Sequence, residues 1–323
     1  MSFRPALILF ALAPAWPAAA QEFSAPQPSV SQPESRPHIA PFAATAPEPQ
    51  VPQLRSSFPR IVPDKPALTA PPDSFYQTPA QLYPWLQTVA QARPREVKLV
   101  IIGQSSTGAS LVALEITPPG QSPWSLKRLV VVCRQHGNEP EATASGARMI
   151  YHWLRPRTAR ERAMAARTAL LIVPIANPDG AARYQRRTAR NIDMNRDWGQ
   201  NQSVEVRVLT RWIGAWKPNL IIDNHQWLPA ERMPPPMAEA SGGERAQRAA
   251  RLMAKRNAQN GYALSARSRW GLDTLCHRFW GQRYHTPAVL LETRHLPGQP
   301  GMRSKAIEMA ELALWGAAES ADK

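Results

Sequence analysis

Six short apolar runs punctuate residues 73–323: Val97–Ile102, Leu111–Ile116, Leu129–Cys133, Ala169–Ile175, Leu220–Asp223 and Ala288–Leu291. They are rich in Val, Ile and Leu, the composition of a buried strand. Between most of them lie stretches with helical spacing. Pro79–Ala92 follows a Thr78 cap and presents Leu82, Trp85, Leu86 and Val89 on one face, although Pro84 disfavours its early turns. Further helices are predicted after Pro140 and over Val204–Trp216, Glu244–Asn257 and Met302–Ala317. Strands separated by helices predict an α/β domain with one central mixed, mostly parallel sheet flanked by helices on both faces. The 251 residues of this region suffice for a single sizeable core.

The amino terminus does not belong to that domain. Residues 1–20 carry Arg4, an apolar run Ala6–Ala13 and a small-residue end, Ala18, Ala19 and Ala20. This is the pattern of a secretory signal peptide cut after Ala20, and it predicts a secreted or periplasmic protein. Pro14 and Pro17 break the run, which is too short to span a bilayer, and no later segment is apolar enough to do so. Residues 21–72 hold 13 prolines in 52 positions. Such a segment cannot bury a core and is expected to be a disordered tether leading to a catalytic domain at 73–323.

The formal net charge is +15, and the tether's four acidic and four basic residues cancel, so all but Arg4 of the excess falls on the domain. A basic surface suits an anionic partner. Arg245, Arg248, Arg251, Lys255 and Arg256 read more simply as the wet face of one helix. No basic motif interleaved with aromatics is present, which argues against nucleic acid. The sequence does not specify an oligomeric state. Export permits a disulfide, yet Cys133 lies in a predicted central strand, so pairing of Cys133 with Cys276 stays open.

Polar clusters stand at the ends of several apolar runs, where ligands bind in open α/β sheets. After Cys133 come His136, Gly137, Asn138 and Glu139, three residues separating an imidazole from a carboxylate at the mouth of a helix. Zinc takes both ligand types; the plainer reading is a polar loop capping the helix. His225 follows Leu220–Asn224, and Glu292 follows Pro287–Leu291. Between them lies Asn177–Trp198, which opens on the turn signal Asn-Pro-Asp-Gly and carries Arg186, Asp193, Asn195 and Arg196. Two imidazoles, one carboxylate and an open fourth position make a catalytic zinc arrangement. A further carboxylate can take a proton from water there, and an arginine can polarise a carbonyl oxygen.

Taken in order, HGNE, NPDG, DMNRD, DNH and LLET resemble the motifs of the zinc carboxypeptidases of the carboxypeptidase A type, over most of Val97–Arg294. The resemblance implies that His136, Glu139 and His225 hold one zinc ion and that Glu292 is the general base. It also implies that Arg186 polarises the oxyanion, Asn195 and Arg196 clamp the substrate's terminal carboxylate, and Asp193 orients His136. The implied activity is hydrolysis of a peptide or amide bond beside a free carboxylate, by zinc-activated water. Scavenged peptides and cell-wall stem peptides both suit an exported enzyme of this kind. Two other readings stand beside it: a zinc amidohydrolase, deacylase or murein-peptide amidase of the same fold, and a non-catalytic periplasmic binding module.

The chain departs from the family pattern in places. Arg187 and Arg190 share the loop with Arg186, so any of the three could be the polarising arginine. Ala109 stands where the family's hairpin commonly carries an arginine, and the family's substrate tyrosine has no obvious counterpart. Tyr262 and Tyr284 are candidates for it, while Trp270 has the approximate spacing before Glu292. His152, His277, His285 and His295 read as packing or surface groups, and Asp179 and Asp197 as turn and loop residues.

Overall fold

The computed structural model describes residues 66–71, 78–228, 235–294 and 302–321, all of one unit spanning 54–323. The residues expected to form a signal peptide, 1–20, and most of those expected to form a tether, 21–72, lie outside the described residues. Residues 66–71, expected to be part of the disordered tether, instead pack on the helix at Pro79–Ala92: Leu68 is buried, and Thr69 O accepts a hydrogen bond from Trp85 Nε1 at 3.2 Å.

The chain begins with α1 (Pro79–Ala92), then β1 (Val97–Gln104) and β2 (Ser110–Ile116), which form a hairpin. Next come β3 (Lys127–Cys133), α2 (Pro140–Trp153), α3 (Ala159–Ala165), β4 (Thr168–Val173) and the short α4 (Pro178–Arg183). Then follow α5 (Val204–Trp216), β5 (Leu220–Trp227), β6 (Met237–Ser241), α6 (Glu244–Ala258) and β7 (Ser265–Ser268). A single turn, α7 (Cys276–Arg278), runs into a π-helical stretch at Phe279–Arg283, before β8 (Ala288–Arg294) and α8 (Met302–Ala321). Among the described residues, no helix is long and apolar enough to cross a membrane.

Eight strands form one open sheet in the order β1-β2-β4-β3-β5-β8-β6-β7. The pairs β3–β4, β3–β5, β5–β8 and β6–β7 are parallel; β1–β2, β2–β4 and β6–β8 are antiparallel. The mixed, mostly parallel sheet with helices on both faces is therefore the fold expected. Alternating side chains of its central strands feed two cores, and both are needed because these strands are buried on both faces. On one side Leu129, Val131, Ile222 and Leu291 pack under α1, α2, α6 and α8. On the other, Val130, Val132, Leu171 and Ile221 pack under α5 and the segments around Trp198 and Phe279.

The helix α5 shows how local sequence sets this up. Ser203 caps it by accepting from Val206 N, and Lys217 ends it in a left-handed conformation at φ 46°. Val206, Leu209 and Ile213 fall on one stripe and are fully buried, each contributing about 2 kcal/mol. Leu209→Ala would cost about 2–5 kcal/mol through the cavity it leaves.

One expectation changes and one open question is answered. Arg256 does not belong to the wet face of α6: its Nη2 donates to Glu161 Oε1 at 2.6 Å and its guanidinium lies over the Trp315 ring. Cys133 and Cys276 are both buried free thiols, one in each core.

Candidate active site

The sheet delivers its chemistry at the ends of β3, β5 and β8. After Cys133 the chain leaves β3 through Arg134, whose φ of 58° is left-handed. Its buried guanidinium donates from Nε to Gly137 O at 3.0 Å, folding the next loop back on itself. That loop needs glycine at 137, because a Cβ there would lie 2.0 Å from the carbonyl carbon of Gly180. The loop is thereby pressed onto the Asn177–Gly180 turn. Asn177 Nδ2 donates to Gln135 O at 3.2 Å, and Asn177 Oδ1 accepts from Gly180 N at 2.8 Å. Asp179 in the same turn accepts hydroxyls of Ser105, Ser106 and Thr107, which docks the β1–β2 hairpin and fits the turn role expected of it.

His136, Glu139 and His225 converge. One ligand atom from each lies within 4.8 Å of the other two, and all three side chains are buried. His136 Nδ1 is 2.6 Å from Glu139 Oε1, and His225 Nδ1 is 2.8 Å from Glu139 Oε2. His225 is not past its strand, as the sequence suggested, but within β5, which continues to Trp227. Each ring's outer nitrogen meets another carboxylate: His136 Nε2 is 3.1 Å from Asp193 Oδ1, and His225 Nε2 is 2.8 Å from Asp223 Oδ1. The donor set, two imidazole nitrogens and a carboxylate oxygen with carboxylates behind both rings, fits zinc.

The electrostatics agree with that fit. Burial resists ionisation of Glu139, but His136 and His225 beside it outweigh burial and hold its carboxyl well below the usual range. Burial likewise opposes charging His225, yet Asp223 and Glu139 push its pKa well above the ordinary imidazole value. The pocket is thus arranged to hold positive charge, which a dication supplies while displacing protons.

Among the three arginines of the loop, Arg186 is the one that reaches the centre. Its Nε donates to Asp193 Oδ2 at 3.1 Å, and its Nη1 is 3.8 Å from Glu139 Oε1. Arg187 donates instead to Asn191 O, and Arg190 is exposed. Asp193 is buried, which resists ionisation, but His136 and Arg186 hold its carboxyl well below the usual range. Arg196 stands at the rim, its side chain 66% exposed, with Nε 3.9 Å from Asp193 Oδ2. Asn195 is buried next to it, its Oδ1 accepting from Cys276 N at 3.0 Å.

Strand register brings in Glu292. It pairs with His225 across β5–β8 and with Met237 across β8–β6, so His225, Glu292 and Met237 form one row on one face. Asp223, Leu290 and Glu239 form the next row. Glu292 Oε2 is buried without a hydrogen-bond partner among the described residues. Burial holds this carboxyl well above the usual range; His225 and Arg186 oppose the shift, while Glu139 and Asp223 add to it. A carboxyl of raised pKa with one unpaired oxygen beside the ligands suits proton transfer.

The remaining candidates fall into place as packing. His152 pairs with Glu311, and His277 with Glu239, while His285 sits in a left-handed turn at φ 53°. Asp197 accepts from Gln202 N, Ser203 N and Ser203 Oγ, holding the loop before α5. Tyr262 donates to Glu308, Tyr284 packs on Phe279 and Trp280, and Trp270 is exposed. His295 lies outside the described residues. Asp223 and Gln135 were not singled out from sequence. A period-two reading of Asp223-Asn224-His225 would have placed the aspartate on the histidine's face.

Several comparisons bear on this geometry. The zinc carboxypeptidase family model matches residues 82–254, which include all three converging residues, Arg186, Asn195 and Arg196, but not Glu292. Comparison with curated proteins gives no match. Among solved structures, the chain resembles a metallo-carboxypeptidase from Burkholderia cenocepacia at 21% identity and TM-score 0.61, covering 75% of this chain and 69% of that one. A carboxypeptidase A from Helicoverpa armigera matches at 16% identity and TM-score 0.63, covering 76% and 73%. A metallo-carboxypeptidase from Pseudomonas aeruginosa, in complex with (2-guanidinoethylmercapto)succinic acid, matches at 22% and TM-score 0.62, covering 75% and 68%. These likenesses establish the shared fold. With a family match across more than half its length and that family's ligand types converging on one sheet end, the chain belongs to the zinc carboxypeptidase family.

Proposed function

We propose that the protein is an exported carboxypeptidase that binds one zinc ion through His136, Glu139 and His225 and removes residues from the free carboxyl end of peptides. The observation that carries this reading is the buried carboxyl of Glu292, its Oε2 without a partner among the described residues, in the same row as His225 of a converged ligand set. Zinc, when bound, supplies Lewis acidity towards water and the scissile carbonyl.

The protein's own groups do the rest. Glu292 accepts the proton of the attacking water and returns it to the departing amine, two steps one carboxylate can serve. Arg186 donates to the oxyanion that develops on the carbonyl. Asp193 accepts from His136 Nε2 and from Arg186, so one carboxylate positions both a ligand and a donor. Arg196 and Asn195 engage the substrate's terminal carboxylate; Arg196 is free for this, its nearest acidic neighbour being 3.9 Å away. The signal-like residues 1–20 support export, where peptides and cell-wall stem peptides are the substrates at hand.

The test incubates purified protein with peptides ending in free or amidated carboxyl groups and reads products by mass spectrometry. Stepwise loss of the last residue, stopped by chelator and restored by zinc, is expected. Internal cleavage, or release of a side-chain acyl group, would move the assignment to the amidohydrolase or amidase reading.

A further inference from the structure

The strand that carries His225 sets a second carboxylate against it. Residues 223 and 225 leave β5 on the same face, and Asp223 is fully buried in the row beneath. Its Oδ1 lies 2.8 Å from His225 Nε2 and also accepts from Gln135 Nε2. Gln135 is locked in orientation. Trp198 Nε1, a donor only, points at Gln135 Oε1 from 2.7 Å, so the amide nitrogen must face Asp223 and His225. That nitrogen is 3.3 Å from His225 Nε2.

We propose that Asp223 is a positioning residue for the metal centre, choosing which nitrogen of His225 carries the proton. The inference rests on the reading of His136, Glu139 and His225 as zinc ligands. His225 has two neighbours at Nε2 with opposite demands. Gln135 can only donate there, which favours a lone pair on Nε2 and the proton on Nδ1, the nitrogen that faces Glu139. Asp223 Oδ1, the oxygen that takes the Gln135 amide proton, is an acceptor, which favours the proton on Nε2 and leaves the Nδ1 lone pair for a metal. The Asp223 contact is the shorter, 2.8 Å against 3.3 Å, so Asp223 wins the competition. Among the described residues His136 has no such rival at Nε2, where Asp193 faces it. The two ligand histidines therefore differ, and the orientation of His225 depends on one buried aspartate.

The experiment measures zinc dissociation constants by chelator competition for wild type, Asp223→Ala, Asp223→Asn and His225→Ala. Visible spectra of the cobalt-substituted proteins and melting temperatures of the metal-free forms are recorded alongside. Asp223→Ala leaves Gln135 as the sole partner of Nε2, and its zinc affinity should fall about 10- to 100-fold, with an altered cobalt spectrum. Asp223→Asn keeps an acceptor oxygen, because Gln135 demands one, so its loss should be smaller than that of the alanine variant. If Asp223→Ala does not fold, Asp223→Asn alone carries the test, and its affinity must fall severalfold with the metal-free melting temperature unchanged. Wild-type affinity and an unaltered cobalt spectrum in the folded variants, while His225→Ala loses zinc, would overturn the positioning role alone. Zinc retained by His225→Ala would overturn the ligand reading beneath it.

Discussion

Replacing Arg196 with alanine removes a guanidinium that the free protein barely uses, since its side chain is 66% exposed and 3.9 Å from its nearest carboxylate. If Arg196 forks a substrate carboxylate, the bond is charge-assisted and shielded by the bound peptide. Such hydrogen bonds contribute about 1.5–3 kcal/mol. About 1.4 kcal/mol is tenfold, so kcat/KM should fall by about tenfold to somewhat over a hundredfold. An ion pair left open to solvent would contribute no more than about 1 kcal/mol, a loss of about fivefold or less, so the size of the effect separates the two cases. Amidating the substrate removes the other partner and should cost wild type a similar factor. In the Arg196→Ala enzyme amidation should add little, because both changes delete one interaction. The assay is a double cycle of two enzymes against acid and amide forms of the best peptide. Full additivity, or equal cleavage of acid and amide by wild type, would refute the carboxylate clamp.

Glu292→Gln should keep zinc and fold while turnover falls by about a hundredfold or more, measured as kcat on the same peptide; near-normal turnover would assign the base elsewhere. Arg186→Ala should slow turnover by about a hundredfold, whereas Arg187→Ala, whose guanidinium bonds Asn191 O, should stay within about twofold. Glu239 provides a stability test. Burial opposes its ionisation, but His277 and Arg278 lower its pKa from the ordinary 4.5 to about 2. Its stabilisation is therefore present above pH 4.5 and lost as pH falls through about 2. Glu239→Gln should cost about 3 kcal/mol at pH 7 by denaturant titration, and the gap from wild type should narrow towards pH 2.

Strands with β-branched residues were legible because their composition declares burial: Leu129–Cys133 and Ala169–Ile175 reappear as β3 and β4 with small shifts at their ends. Helix limits at Pro79–Ala92 and Val204–Trp216 were legible from their caps and stripes. Met237–Ser241 was missed. Its sequence, MAEAS, carries no β-branched residue, and it becomes a strand by pairing with β8 on one side and β7 on the other. β5 runs past its expected end at Asp223 because Asn224, His225 and Gln226 look like a loop when their partners are unknown. In the fold they and Asp223 are buried and bonded to Glu139, Gln135, Ala142 O and Ser145, while Asp223 Oδ2 and Asn224 Oδ1 have no partner among the described residues. The ligand residues showed in sequence because each follows an apolar run. Asp223's contact with Gln135, 88 residues away, and Gln135's with Trp198, 63 away, are products of sheet order that no local pattern records.

The central claim is that His136, Glu139 and His225 together hold a single zinc ion. It is tested most directly by the zinc-to-protein ratio, read by elemental analysis on purified wild type and His225→Ala after dialysis against metal-free buffer. The account predicts one zinc per wild-type chain and almost none in the variant. A stoichiometric zinc ion in His225→Ala, or none in wild type reloaded with zinc, would contradict it.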